Sequence, residues 1–449
     1  MSEWLRTFLP ARRAVLERGL THWYSAGRVV ADRMWRFRFF AKREWLPRTE
    51  SKDHVMVPIQ TLKPRGIQPP YGTVHFEDVG HLVAGPVLRA FTHAIKEIWA
   101  WDTPIFYASA TPDLLDRWLN SVQHASTFIW SDYSMFDCTH SNQTWDFLEP
   151  LYLSILDPDG INADAFRKLL RGWRTPIGRA HAVWGALPQV IRYFSIAMNA
   201  SGRDDTAIAN VLLNGFAMFL CLTAIHFGID LELLEPSHVE QFASVARLAV
   251  VGDDSLVALP KYTATGAVWA QQTGLLSTFL KKFGFLAKVG ASERIVDAVF
   301  LGCRPYRVAN VWRWGPTLGR RLYKHHCCIH PDANPIAWLN GIANMEAQYL
   351  GFVPIIGAMG RQCRALLSGR KVTPWKADRY HGLNWSERTA PLYPDADTYH
   401  YCALAYTTHH GVVTAQDLLA VEELVGGVKE LPVILGGLTL ERILTVDEL

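Results

Sequence analysis

Cysteine is scarce and unordered in this chain of 449 residues: seven lie at positions 138, 221, 303, 327, 328, 363 and 402, and no CxxC pair occurs. An odd number without regular spacing excludes a disulfide framework and points to free thiols in a reducing compartment. The N-terminus, MSEWLRTFLPARRAVLERGL, lacks the uninterrupted apolar run of a secretory signal, because Pro10 and several arginines break it; secretion is not expected. The only long apolar run, Ala207 to Ile229, carries Asn210, Asn214 and His226. It reads as a buried core helix, and no transmembrane span is expected. There is no internal repeat, and little excess of either charge: 45 Lys+Arg against 42 Asp+Glu, a net of +3. That balance speaks against a strong nucleic-acid binder, which needs clustered Lys and Arg.

The apolar content of 49% and the 17 Trp are ample for substantial cores, so disorder and collagen-like character are excluded and two to four structural units are expected. The balanced charge is also uneven along the chain. Residues 1–66 hold 14 Lys+Arg and 6 Asp+Glu, a net of +8, and residues 67–449 hold 31 and 36, a net of −5. Arg36-Phe37-Arg38-Phe39, followed by Lys42 and Arg43, suits phosphates and stacked bases, and equally suits a half-exposed amphipathic element. Residues 50–71, punctuated by Pro58, Pro64, Gly66, Pro69 and Pro70, read as loop.

Residues 77–125 read as mainly helical. Thr127 to Trp130 is a short β-prone run that ends at Ser131-Asp132, and Asn142 to Ile155 has helical spacing. Residues 157–200 have no clear period. Leu248 to Val251 and Ser255 to Leu259 flank Gly252-Asp253-Asp254, the pattern of a β-hairpin with a tight turn. Leu275–Phe285 reads as helix, Phe300–Cys303 as a short strand, and 304–449 as largely helical.

Paired carboxylates between two apolar strands repel one another, and a cation is their natural compensation; hard oxygen ligands suit Mg²⁺ or Mn²⁺. The plain alternative is an exposed turn, which Asp and Gly favour anyway. Asp132, at the end of a strand with Asp137 five residues on, supplies an acid from a second segment. Two ions bridged by carboxylates from more than one segment carry out in-line phosphoryl or nucleotidyl transfer. Between these acids, Ser201-Gly202 opens the apolar helix, and Thr206 and Asn210 stand i, i+4 on one of its faces.

The series Asp132-x4-Asp137, Ser201-Gly202-x3-Thr206-x3-Asn210 and Gly252-Asp253-Asp254 resembles motifs A, B and C of the RNA-dependent RNA polymerases of positive-strand RNA viruses. The spacings, 64 residues from Asp137 to Ser201 and 52 from Ser201 to Asp253, agree with it. Lys63-Pro64-Arg65-Gly66-Ile67-Gln68-Pro69 resembles motif F, in wording closest to tombusvirus-like and noda-like polymerases. Lys281-Lys282 to Lys288 and Phe300 to Cys303 fall where motifs D and E would lie.

The resemblance implies an α+β right-hand fold of fingers, palm and thumb. Its parts would be an N-terminal fingers region with motif F (1–126), a palm strand (127–137), a fingers insertion (138–200), the rest of the palm (201–303) and a helical thumb (304–449). It implies two Mg²⁺ or Mn²⁺ ions on Asp132, Asp253 and, less directly, Asp254. Asp137 and Asn210 would reach the ribose 2′-hydroxyl, with Ser201, Gly202 and Thr206 in the nucleotide-binding segment. Lys63 and Arg65, with Lys42 or Lys52, would cover the NTP triphosphate, and Lys288 or Lys282 would protonate the pyrophosphate. Implied partners are an RNA template, its product strand and NTPs, in a membrane-associated replication complex of the host cytoplasm. The short segment before Lys63 implies compact fingers or a share of the replicase on another polypeptide.

Rival readings are a reverse transcriptase-like palm polymerase, a non-catalytic RNA-binding protein with a palm-like fold, and a two-metal nuclease. Three further features carry less. His325-His326-Cys327-Cys328 with His330 matches no zinc-finger spacing. Trp312 and Trp314 suit a core better than a stacking platform. Trp4, Leu5, Phe8 and Leu9 suit packing within the fold better than peripheral attachment to a membrane.

Overall fold

In the computed structural model the described residues are 2–6, 8, 10–25, 36–47, 56–65, 76–108, 112–134, 136–156, 159–160, 163–175, 177–184, 187–194, 196–197, 199, 205–324, 334–369, 379–380, 383–384, 392–407, 411–431 and 436–447. The chain is a mixed α/β protein with a sheet rich in antiparallel pairs. Its first half runs α1 (Ser2–Arg6), α2 (Pro10–Ser25), β1 (Arg36–Pro47), β2 (Met56–Arg65), α3 (Phe76–Ile98), β3 (Ile105–Tyr107), α4 (Pro112–Ser121), β4 (Thr127–Tyr133), α5 (Phe136–Thr139), α6 (Asn142–Leu156), α7 (Ala163–Arg174), β5 (Ile177–Trp184) and β6 (Leu187–Phe194). The second half runs α8 (Thr206–Phe227), α9 (Pro236–Val245), β7 (Arg247–Val251), β8 (Asp254–Leu259), α10 (Thr273–Lys282), β9 (Ala287–Ser292), β10 (Cys303–Val308), β11 (Val311–Pro316), α11 (Leu318–Lys324), α12 (Pro335–Tyr349), α13 (Ile356–Leu367), α14 (Ala396–Tyr406), α15 (Ala415–Gly427) and α16 (Leu438–Val446).

The central sheet has the strand order β3-β7-β8-β4-β9. Side chains alternate across it, and both faces are covered. Ile129, Tyr133, Leu248, Val250 and Val257 join one core with α8 and α10, whereas Phe106, Phe128, Ala249, Leu256 and Ala258 join a second core with α4 and the C-terminal helices. Helix α8 is apolar and long enough to cross a membrane, but 89% of its most apolar window is buried inside the fold. It is the core helix its embedded Asn and His residues suggested.

A second sheet, ordered β2-β1-β5-β6, joins strands far apart in sequence: β1 pairs with β5 in parallel, Arg36 opposite Ile177. Here the chain departs from expectation twice. Residues 56–65, expected as loop, form a strand despite Pro58 and Pro64. Strand β2 lies at the sheet edge, where one row of backbone groups needs no ladder partner and proline is tolerated. The aperiodic 157–200 segment contains α7 and the β5–β6 hairpin.

The central sheet and the segment after β9 also differ from expectation. Strand β3 lies inside the 77–125 segment expected to be helical and pairs in parallel with β7; three residues are too short for a periodic signal. Phe300–Cys303, expected as a strand, is a turn. Leu301 and Gly302 both have positive φ, 56° and 64°, and Phe300 and Cys303 exchange backbone hydrogen bonds across them. Strand β10 starts at Cys303, so a boundary at 304 falls within a hairpin. Trp312 and Trp314 on β11 are buried, and their backbone N–H groups donate to Asn120 and Asp116 of α4. They are core residues. Trp4 and Leu5 are likewise buried, and the Trp4 indole lies where a side chain on Gly85 of α3 would stand.

Candidate active site

Strands β7 and β8 are joined by two residues, with Val251 opposite Asp254. Gly252 has φ of +59°, as a two-residue hairpin turn with glycine at its first central position requires. The turn carries Asp253 and delivers Asp254 to the start of β8. Next to β8, β4 runs antiparallel in a constant register from Thr127 opposite Leu259 to Ser131 opposite Ser255; the hydroxyls of the last pair are 2.6 Å apart. The pairing stops there, and the next residues are Asp132 on β4 and Asp254 on β8, the charge of Asp132 acting on the Asp254 carboxyl. On its other edge β4 pairs with β9, which places Gly290 opposite Trp130 and Lys288 opposite Asp132.

Asp132 and Asp253 are exposed and Asp254 is half-buried. The Asp254 carboxyl is pushed up to about 7, first by burial, then by the charges of Asp253 and Asp132, with Arg320 opposing. Among the described residues, neither Asp132 nor Asp254 makes a side-chain hydrogen bond or ion pair. Arg320, exposed on α11, lies over Gly302: its Nη1 is 2.9 Å from where a β-carbon on that glycine would stand. It was not anticipated, because only the packing of α11 against the Leu301-Gly302 turn brings it near the carboxylates. Of the two candidate lysines, Lys288 is in register with Asp132, while the Lys282 ammonium lies 3.8 Å from Asp230 and over the Phe279 ring.

Three carboxylates from two segments fit a hard divalent cation by donor chemistry, and their mutual repulsion is what such a charge would relieve. Among the described residues no three His, Cys, Asp or Glu side chains are gathered closely enough to hold a metal ion by themselves. Mg²⁺ commonly takes only one or two carboxylates, completing its shell with water and substrate phosphates.

A second polar cluster adjoins the first. Asn210 of α8 donates from Nδ2 to Asp137 Oδ1 at 2.7 Å and accepts at Oδ1 from Asn199 Nδ2, also at 2.7 Å. The Asn199 backbone N–H donates to the Asp137 carbonyl at 2.9 Å. Asp137 and Asn210 are thus hydrogen-bonded to each other, and Asn199 joins them, a contact that the spacing of the motifs did not reveal. Thr206 lies one turn before Asn210 on α8 and is half-buried.

Ser201 and Gly202 lie outside the described residues, as do Lys52 and the His325–His330 segment. Lys63 and Arg65 are described by backbone alone: they stand on β2, opposite Phe40 and Arg38 of β1, and Lys42 stands opposite Thr61.

No protein-family model matches this chain, and no curated protein does.

Proposed function

We propose that this chain is a right-hand RNA-directed RNA polymerase that transfers ribonucleoside monophosphates from NTPs to an RNA 3′ end, in the service of a viral genome. In this reading the central sheet with α8 and α10 is the palm, the sheet of β1, β2, β5 and β6 belongs to the fingers, and the region from β10 onward is the thumb. The observation that carries it is the convergence of Asp132, Asp253 and Asp254 at one end of adjacent strands, with a hydrogen-bonded Asp137–Asn210 pair beside them.

Asp132 and Asp253 would hold two Mg²⁺ or Mn²⁺ ions, with Asp254 supporting them. Bound there, the ions supply activation of the attacking hydroxyl and charge stabilisation of the leaving pyrophosphate. Asp137 and Asn210 offer an acceptor and an amide to a ribose 2′-hydroxyl, the group that separates ribonucleotides from deoxyribonucleotides. Lys288, exposed and in register with Asp132, is the better placed of the two lysines to give a proton to pyrophosphate. Lys63 and Arg65 would meet the triphosphate from the fingers.

The test is the purified chain with a homopolymeric RNA template, labelled complementary NTP and Mg²⁺, with and without primer. Template-dependent product is expected, with NTP preferred over dNTP. Asp253→Asn should lower synthesis by several orders of magnitude with folding retained, since a carboxamide keeps the shape and loses the charge. Preference for dNTP would indicate a reverse transcriptase, and RNA breakdown without nucleotides a nuclease. Full activity in Asp253→Asn would remove catalysis from this turn.

A further inference from the structure

The Gly252-Asp253 turn projects beyond the ladder that holds the sheet together. The β4–β8 pairing ends at Ser131 and Ser255, one step short of Asp132 and Asp254. Backbone carbonyls beyond a ladder still need donors when water is excluded. Here a single side chain supplies them. The two Nδ2 hydrogens of Asn214 on α8 are shared among the carbonyls of Gly252 at 3.2 Å, Asp253 at 2.9 Å and Asp254 at 3.2 Å. Its Oδ1 accepts from the Tyr133 hydroxyl at 3.0 Å, and Tyr133 directly follows Asp132 on β4. Both side chains are buried: Asn214 is 0% exposed and Tyr133 5%.

We infer that Asn214 is a positioning residue that fixes the two acidic segments relative to one another, so that Asp132 and the Asp253-Asp254 pair present one ligand set. The inference rests on the proposed reading of those carboxylates as metal ligands. Its physical basis is economy of connection. One amide grips three successive carbonyls of the turn, and its other end, through Tyr133, grips the strand that bears Asp132. Neither segment can shift without stretching the bridge. Helix α8 is an apt base because it is packed against the sheet along its length and carries Asn210 one turn earlier, about 6 Å along the axis. The same helix face thus holds the pair that would read the sugar and the clamp that sets the carboxylates.

An apolar core helix has no other need of Asn214. A buried asparagine must have its amide and its carbonyl satisfied, and both are satisfied by the site. Replacing it removes the side-chain donor that ties the turn carbonyls to α8 and frees the turn to shift against β4. Outer-shell orientation of this kind is worth about 10–100-fold in metal affinity or activity.

The experiment titrates the full-length protein with Mn²⁺, reading bound ion by electron paramagnetic resonance, and in parallel measures kcat and KM for NTP on a primed template. Wild type, Asn214→Ala, Tyr133→Phe and Asp253→Asn are compared below their thermal midpoints. Asn214→Ala should bind Mn²⁺ about tenfold more weakly or worse, with kcat reduced and KM for NTP little changed. Tyr133→Phe, which removes one hydroxyl, should move both readouts the same way by less. Wild-type Mn²⁺ affinity in Asn214→Ala, with affinity lost in Asp253→Asn, would overturn the inference and leave the site reading standing. Undiminished affinity in Asp253→Asn would defeat both. If Asn214→Ala does not fold, Tyr133→Phe decides, and unchanged affinity there overturns the inference.

Discussion

Two regions of the molecule distribute charge differently. In the C-terminal region every buried charge described has a partner of the other sign. Arg321 and Glu346 are both fully buried, and Arg321 donates from Nε to Glu346 Oε1 at 2.7 Å and also from Nη2. Arg304 pairs with Asp447, which also accepts from the Gly319 backbone N–H at 2.6 Å and from the Tyr406 hydroxyl at 2.9 Å. At the end of the central sheet, Asp132, Asp253 and Asp254 carry one sign, and the Asp254 carboxyl is pushed up first by burial and then by its two acidic neighbours, with Arg320 opposing. A charge that serves the fold is neutralised by the fold. In the proposed reading, the like charges at the sheet end are relieved by a bound cation.

The comparison can be broken by measuring stability where each kind of acid is removed. The largest effect belongs to Glu346→Ala, which strands Arg321 without its carboxylate in a dry core and should cost about 3–5 kcal/mol. Chemical denaturation would read it, and a loss under about 1 kcal/mol would mean that the pair is not holding the C-terminal helices together. Asp447→Asn keeps an acceptor but removes the charge facing Arg304, and an intermediate loss of about 1.5–3 kcal/mol is expected from the weakened charge-assisted bonds. It links α11, α14 and α16, so hydrogen exchange should quicken in those helices first. The smallest effect is Asp254→Asn. Removing one of three like charges should leave stability within about 0.5 kcal/mol of wild type, or raise it, while nucleotide transfer falls. A destabilisation as large as that of Asp447→Asn would show that Asp254 is structural and erase the contrast.

Much of this arrangement is legible in the residue pattern. The two strands around Gly252-Asp253-Asp254, the strand ending near Asp132, and α8 as an apolar core helix all come from local pattern, because apolar runs of strand or helix length next to turn residues have few alternatives. The resemblance assigns Asp137 and Asn210 to one ribose; that the two are hydrogen-bonded to each other is a feature of the fold. The two missed strands share one cause, and a third element was misread for a local one. Strand β2, with Pro58 and Pro64, is stabilised by β1 and not by its own propensity. Strand β3 exists because β7 offers it an edge. Phe300–Cys303 reads as a strand by composition but turns where Leu301 and Gly302 adopt positive φ.

The uneven charge behaves similarly. Its N-terminal excess is a property of the sequence alone, whereas the neighbours of that excess depend on the parallel pairing of β1 with β5 across more than a hundred residues. Asn214 is the plainest case: in sequence it is a polar interruption of an apolar run, and in the fold its amide meets three carbonyls of the carboxylate turn.

The sequence by itself therefore determined which residues could do chemistry, their order, and the secondary structure that would carry most of them, since residue type and short-range periodicity are local properties. Only the tertiary structure decided which of them meet. The register of β4 against β9 sets Asp132 opposite Lys288, the packing of α11 brings Arg320 over Gly302, and the seat of α8 puts Asn210 on Asp137 and Asn214 on the 252–254 turn. Those are long-range choices, made by burial and hydrogen-bond satisfaction between segments that no local pattern connects.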